Sequence, residues 1–147
     1  MDRRIGEKRI KATQKEYVSV STQFDRGLEK RKSVLGESYV TDAFNRASDF
    51  DRPFQEFITE SAWGGVWTRG PLDDKTKSII TLSILTALRA EGEIALHTKG
   101  AINNGVTADE IVALLTHASV YAGVPSAVSA IKVVKKTLQE IGELPAD

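Results

Sequence analysis

The chain of 147 residues contains no cysteine. Without thiols it forms no disulfide and no thiolate metal site, and it has neither a cysteine nucleophile nor a dithiol redox pair. The absence fits a reducing compartment, so we expect a cytoplasmic protein.

An excess of charge and a long apolar run are also missing. Twenty basic and twenty acidic residues give a formal net charge of zero. Such a chain offers no electrostatic basis for binding nucleic acid or an anionic membrane surface. The first 17 residues are charged where a signal peptide needs an apolar segment, and no apolar stretch is long enough to cross a bilayer. We therefore expect neither nucleic acid nor membrane as a partner.

What remains is the composition of a soluble globular protein, with 41% apolar and 27% charged residues. Residues 1–22 are polar and basic with weak periodicity, which predicts an N-terminal arm that is mobile alone or ordered against a partner subunit. Residues 23–147 are expected to form one domain.

Helical spacing of apolar residues recurs along this domain, and no alternating strand pattern of useful length appears. The pattern predicts an all-α fold of about six helices. Helix ends are predicted at Gly36, Gly64-Gly65, Gly92, Gly105 and Gly123. Helix starts are predicted at Asp51, at Asp73 or Asp74, at Thr107 with Glu110 in a capping box, and at Pro125.

One predicted helix, after Pro71, is apolar on nearly every side. Its apolar residues are Ile79, Ile80, Leu82, Ile84, Leu85 and Leu88. A helix of this kind must be covered all round, and one small domain rarely has the material to do so. The pattern favours a subunit interface and hence a homo-oligomer.

Within "EIALHTKGAINNGVTADEI", Glu93 and His97 stand one helical turn apart on the same face. A hydrogen bond from the carboxylate to the ring fixes the imidazole tautomer and raises its pKa, as suits a proton donor or acceptor. From spacing alone, a solvated surface pair is the commoner explanation. The apolar neighbours of the pair favour a functional one.

Other polar candidates have competing explanations. His117 falls on or beside a buried stripe, where a satisfied core histidine is commoner than a ligand. Trp67, after a Gly-Gly pair, suits either core packing or a pocket wall. Arg69 suits carboxylate binding or plain solvation. A metal site of two histidines and a glutamate is disfavoured, because only Glu93 and His97 are close in sequence.

Three segments, "WGGVWTRGPLDDKTKSIITLSILTAL", "EIALHTKGAINNGVTADEI" and "LLTHASVYAGVPSA", make the chain resemble the γ-carboxymuconolactone decarboxylase family over roughly residues 24–138. It is less similar to the related alkylhydroperoxidase D proteins, which place a Cys-x-x-Cys pair before the histidine. Here His97 and Glu93 stand without sulfur, which excludes that peroxidase chemistry.

The resemblance implies an alkylhydroperoxidase D-like helical bundle whose subunits interlock, typically as a hexamer built from dimers. It also implies cofactor-free loss of CO2 from γ-carboxymuconolactone, an anionic lactone, giving β-ketoadipate enol-lactone. In that reaction His97 would donate a proton or stabilise the enolate, with Glu93 orienting it. Trp67 would wall the pocket, Arg69 or Arg31 would bind substrate carboxylate, and His117 would add a polar contact.

The chain departs from the family pattern at residues 38–42, where Ser-Tyr-Val-Thr-Asp replaces roughly Ala-His-Val-Asp-Arg, and at Gly70-Pro71, whose order is exchanged. These departures keep two alternatives open. One is a cofactor-independent lyase or isomerase of the same fold that acts on a different, biosynthetic substrate. The other is a non-catalytic oligomeric binding protein.

Overall fold

The computed structural model describes residues 22–147, which form a helical bundle without a β-strand in that range. The all-α prediction is confirmed. The helices are α1 Gln23–Leu35, α2 Glu37–Arg46, α3 Arg52–Ile58, α4 Asp74–Leu88, α5 Glu91–Asn103, α6 Ala108–Ala122 and α7 Val124–Glu140. Helix α3 runs on without a break as a π-helix, Thr59–Trp67. Apart from Thr22, the predicted N-terminal arm lies outside the described residues.

The helix starts follow local side-chain chemistry. Thr107 and Glu110 form the predicted capping box, and Thr22 forms a second one with Asp25 at the start of α1. Asp73 caps α4 by accepting a hydrogen bond from the backbone N–H of Thr76 at 2.8 Å. Helix α2 was not predicted. Its N-cap residue is Gly36, which has no side chain to cap the helix, and Val40 is its only buried residue.

Two predicted helix ends are wrong. Gly64 and Gly65 do not end the helix, which continues through them in π geometry to Trp67. Gly92 lies inside α5, and the preceding break falls at Arg89, whose left-handed backbone (φ 57°) closes α4. Gly36 and Gly123 lie at helix ends as predicted, each with φ 95°.

The apolar side chains form two clusters. One joins α4, α5, α6 and α7 around Leu82, Ile94, Ile111, Leu115 and Leu138. The other, which we call the aromatic cluster, joins α1, α2 and the π-helix through Val34, Leu35, Val40, Trp63 and Trp67, with Leu96 of α5 packed against it. Four large apolar side chains outside both clusters, Phe54, Phe57, Val128 and Ile131, are exposed. None of the helices in residues 22–147 is long and apolar enough to span a membrane.

Helix α1 and the π-helix approach each other backbone to backbone at two glycines. A Cβ atom on Gly27 would lie 2.1 Å from the carbonyl oxygen of Thr59. A Cβ on Gly64 would lie 2.2 Å from the carbonyl oxygen of Gln23. Real Cβ contacts do not occur at such distances, and backbone atoms cannot rotate away as a side chain can. Only glycine at both positions permits this packing.

Gly64→Ala is therefore expected to lower the free energy of unfolding by about 3 kcal/mol or more, because the added methyl group forces the two helices apart. Gly92→Ala is the control. A Cβ there meets nothing within 4 Å, and alanine is the better helix former by up to about 1 kcal/mol. Urea unfolding of both variants at one protein concentration measures the difference. Equal stability of Gly64→Ala and the wild type would contradict the packing.

Candidate active site

The π-helix lines up three buried side chains, Thr59, Trp63 and Trp67. A π-helix closes its hydrogen bonds over five residues, so side chains four apart stand more nearly above one another than in an α-helix. The two tryptophan rings accordingly stack, with centroids 4.8 Å apart and planes 22° from parallel. Each of the three contacts a different part of the candidate site.

Thr59 contacts Arg31, whose side chain is only 3% exposed. The guanidinium Nη1 donates a hydrogen bond to Thr59 Oγ1 at 3.0 Å, and the guanidinium carbon lies 5.9 Å from the centroid of the Phe44 ring. The Nε–H is buried and has no hydrogen-bond partner. No carboxylate forms an ion pair with Arg31 in residues 22–147. Within this part of the chain Arg31 is thus a buried cation without a counter-ion, which is a costly arrangement in a folded protein.

Two groups lie near enough to Arg31 to act on it electrostatically. Burial lowers the pKa of Arg31, and the Tyr39 phenol and the Glu93 carboxylate act in the opposite direction. The α1 helix thereby brings the arginine to the N-terminal part of α5, where Glu93 and His97 lie. Arg31 and Glu93 are therefore near each other in the fold, although they are far apart in sequence.

Trp63 contacts His97. Their rings are parallel to within 1°, with centroids 6.2 Å apart, so the imidazole is held by an offset stack. Burial lowers the pKa of His97 to about 4. The imidazole is therefore neutral near pH 7, with one N–H donor and one acceptor nitrogen.

The predicted hydrogen bond between Glu93 and His97 is absent from residues 22–147, and Glu93 is exposed. The prediction that this pair raises the pKa of His97 is wrong. The spacing rule placed both residues on one face of α5, but the imidazole packs against Trp63 from another helix. Desolvation, rather than a neighbouring carboxylate, sets its charge.

Trp67 lines a cleft of about 460 Å³, whose walls include Arg69, Leu72, Lys77 and Ile80. The Lys77 ammonium donates hydrogen bonds to the carbonyl oxygens of Trp67 at 2.8 Å and of Arg69 at 2.6 Å, which fixes the end of the π-helix. The side chain of Arg69 is exposed. Arg31 and His97 are not among the residues that line this cleft. The two predicted arginines therefore lie in different places: Arg69 lines the cleft and Arg31 does not.

His117 is not a core residue, which corrects the commoner expectation for it. It is exposed on α6, and its ring lies 5.0 Å from that of Tyr121. Leu114 and Ala118 take the buried face of that helix instead. No contact in the described residues joins His117 to His97, and no three metal-ligating side chains come together in residues 22–147.

Thr59, Trp63 and Tyr39 were not predicted to be part of the site. The spacing of four in Thr59, Trp63 and Trp67 is visible in the sequence and places the three side chains on one helix face, but it does not show which other elements that face contacts. Tyr39 lies on the helix that was missed.

The fold and the candidate site together indicate the class of protein. It is a small helical protein with hydrogen-bond donors next to an aromatic cluster. A model of the Carboxymuconolactone decarboxylase family matches residues 52–136. The chain is 49% identical over 118 residues to nitrosuccinic acid decarboxylase of Metarhizium robertsii, spanning 80% of this chain and 82% of that protein. It is 39% identical over 123 residues to 4-carboxymuconolactone decarboxylase of Acinetobacter baylyi, spanning 84% and 92%.

The chain belongs to the carboxymuconolactone decarboxylase family, and it is a carbon–carbon lyase of that type. The family resemblance of the sequence is confirmed.

The pKa of His97 is directly measurable. In His117→Gln, His97 is the single remaining histidine, so its ring resonances titrate alone in an NMR experiment. The expected midpoint is about 4, because the buried ring resists protonation. An unfolded chain takes up this proton near pH 6.5, so the stability linked to His97 falls as the pH drops from about 6.5 to 4. A midpoint at or above 6.5 would contradict the burial of the ring.

Proposed function

We propose that the chain decarboxylates a small dicarboxylic acid that carries its own electron acceptor, at a site between Arg31 and His97. Nitrosuccinic acid is the first candidate substrate, favoured by the higher identity to the decarboxylase named for it. γ-Carboxymuconolactone, the candidate that the sequence resemblance implies, is the second. Both are dianions when ionised.

The electron balance is the same for both acids. Breaking the bond to the departing carboxylate releases CO2 and leaves an electron pair on carbon. In nitrosuccinic acid the pair moves into the nitro group as a nitronate. In the lactone it moves through the ring double bond to the carbonyl oxygen as an enolate. A proton then adds to carbon, so the reaction requires no electron acceptor other than the substrate.

The surroundings of Arg31 are the main support for the proposal. A buried guanidinium with an unpartnered Nε–H and no acidic partner is a ready receptor for a carboxylate, which can accept two of its hydrogen bonds. We assign it to the carboxylate that the substrate keeps. A cation on the departing carboxylate would stabilise the ground state and slow its loss. With Arg31 on the retained carboxylate, the departing one faces the rings of the aromatic cluster instead.

His97 is suited to the developing negative charge. A neutral imidazole N–H that is fixed in place stabilises an oxyanion, an effect of roughly 3–4 kcal/mol for one well-placed donor. As anionic charge builds beside the ring, its pKa rises, which favours delivery of a proton to carbon. In this scheme Trp63 orients the ring and the exposed Glu93 acts through its charge alone.

The remaining predicted residues have weaker roles. Trp67 walls the site and separates it from the cleft, and Arg69 at the cleft attracts the substrate dianion. A substrate contact by His117 stays a prediction. Because His117 is exposed, such a contact requires the site of a neighbouring subunit.

A homo-oligomer belongs to the proposal. Ile80, Ile84 and Leu88 form a stripe along α4 that is 41%, 53% and 70% exposed. Ile80 also lines the cleft, so a second copy on this stripe would cover both. Exposed apolar surface of this kind is typical of subunit interfaces.

A turnover assay distinguishes an enzyme that decarboxylates these acids from a protein that only binds them. The wild-type protein is expected to release CO2 from nitrosuccinate or from γ-carboxymuconolactone, and His97→Gln is expected to lose at least 100-fold in kcat while remaining folded. Lys132→Gln, at an exposed position of α7, serves as the control and should retain turnover. Binding without CO2 release from either acid would indicate the non-catalytic alternative. Full activity of His97→Gln would remove His97 from the mechanism.

Arg31→Gln is expected to reduce kcat/KM about 100-fold, because the substrate carboxylate loses its buried charged partner. The matched control is Arg46→Gln on the exposed surface of α2, whose kcat/KM should not change. Circular dichroism and thermal unfolding establish that both variants fold. An unchanged kcat/KM in folded Arg31→Gln would contradict the assignment of the carboxylate to this residue.

A further inference from the structure

The hydroxyl group of Thr59 is constrained to act as a hydrogen-bond acceptor towards Arg31. Thr59 is fully buried, and its hydroxyl carries a single proton. That proton is donated to the backbone carbonyl oxygen of Gln55 at 2.7 Å. Only the acceptor positions of Oγ1 remain, and one of them receives the hydrogen bond from Arg31 Nη1 at 3.0 Å. The guanidinium is therefore held at Nη1 by a group whose own orientation is fixed.

The backbone keeps Thr59 in register with Arg31. The Thr59 N–H donates to the carbonyl oxygens of Gln55 and Glu56, where α3 passes into the π-helix. The Thr59 carbonyl oxygen lies so close to Gly27 that a Cβ atom there would overlap it. Gly27 and Arg31 are one turn apart on the same face of α1. Thr59 thus meets α1 at two points, its carbonyl at Gly27 and its hydroxyl at Arg31, and it cannot shift along α1 without separating the backbones.

The hydrogen bond at Nη1 decides which part of the Arg31 guanidinium stays available. In this planar group the Nε–H and one N–H of Nη2 point the same way and form one edge, and Nη1 lies away from that edge. Within residues 22–147 neither Nε nor Nη2 makes a hydrogen bond. Two parallel N–H groups of this kind match the two oxygens of a carboxylate. Thr59 therefore occupies Nη1 and leaves the bidentate edge without a partner.

We propose that Thr59 is a positioning residue that presents the Nε/Nη2 edge of Arg31 to the carboxylate the substrate keeps. The carboxylate is then bound by two parallel hydrogen bonds, and Thr59 itself does not touch the substrate. This inference rests on the proposed function. A guanidinium that is already held in place loses less conformational freedom when the anion binds, so the Thr59 hydroxyl contributes to affinity through Arg31.

Two substitutions at Thr59 separate the hydroxyl from the shape of the side chain. Thr59→Val removes the hydroxyl and keeps the shape, whereas Thr59→Ser keeps the hydroxyl. The probe is succinate, a dicarboxylate with neither nitro group nor lactone and hence no turnover. Calorimetry is expected to show succinate binding about tenfold weaker in Thr59→Val and within about twofold of the wild type in Thr59→Ser.

Thr86→Val is the matched control. Thr86 is also buried and donates to the carbonyl oxygen of Leu82 at 2.8 Å, but its hydroxyl accepts no hydrogen bond from a charged side chain within residues 22–147. Thr86→Val should bind succinate as the wild type does. Urea unfolding of both valine variants shows how much stability is lost with the hydroxyl-to-carbonyl bond alone and establishes that each variant folds.

The Arg31→Lys background adds a readout that a purely structural role would not move. Lysine keeps the positive charge but has no planar edge to orient. Thr59→Val is therefore expected to weaken succinate binding about tenfold with arginine at position 31 and less than about twofold with lysine there. An equal loss in both backgrounds would overturn the inference.

A measurement on the wild-type protein tests the edge without any substitution at Thr59. The Nε–H resonance of Arg31, assigned by its absence from the spectrum of Arg31→Lys, is expected to move downfield when succinate is added, because the proton gains a charged acceptor. A resonance that does not move at saturating succinate would overturn the inference, even if Thr59→Val does not fold.

The outcome is separable from that of the proposed function. Release of CO2 by the wild type, with succinate binding unchanged in folded Thr59→Val, refutes the role of Thr59 alone. The expected succinate affinities without decarboxylation of either acid refute the reaction and keep the carboxylate site. A wild-type protein that binds no succinate overturns this inference, whatever its turnover.

Discussion

The close approach of α1 to the π-helix is the contact on which the rest of the site depends. Gly27 and Gly64 allow the two backbones to meet without intervening side chains. Arg31, one turn beyond Gly27, is thereby brought to Thr59 and buried. The π geometry then places Trp63 and Trp67 in line with Thr59, and Trp63 holds the ring of His97. One backbone contact therefore positions both the cation and the imidazole.

The electrostatics of the site suit an anion. The Arg31 guanidinium is buried and forms no ion pair within residues 22–147, and burial keeps the His97 imidazole neutral near pH 7. An acidic residue paired with either group would cancel this arrangement, and the nearby carboxylate of Glu93 is exposed instead. In the proposed function, a bound substrate carboxylate offsets the cost of this buried charge.

Local signals in the sequence predicted much of the fold. The capping box of Thr107 and Glu110, the cap at Asp73 and the turn glycines Gly36 and Gly123 depend on residues a few positions apart, and each was predicted. Gly64 was misread because its role depends on Gln23, which is distant in sequence. The pKa of His97 was misjudged for the same reason. Glu93 lies one turn away, but Trp63 on another helix provides the decisive contact.

The central claim is that Arg31 receives the carboxylate of the substrate. A crystal structure of the protein with bound succinate tests it most directly. The account predicts a carboxylate oxygen within hydrogen-bonding distance of the Arg31 guanidinium, beside the aromatic cluster. Succinate bound only at Arg69 in the cleft, with Arg31 still paired to Thr59 alone, would contradict it.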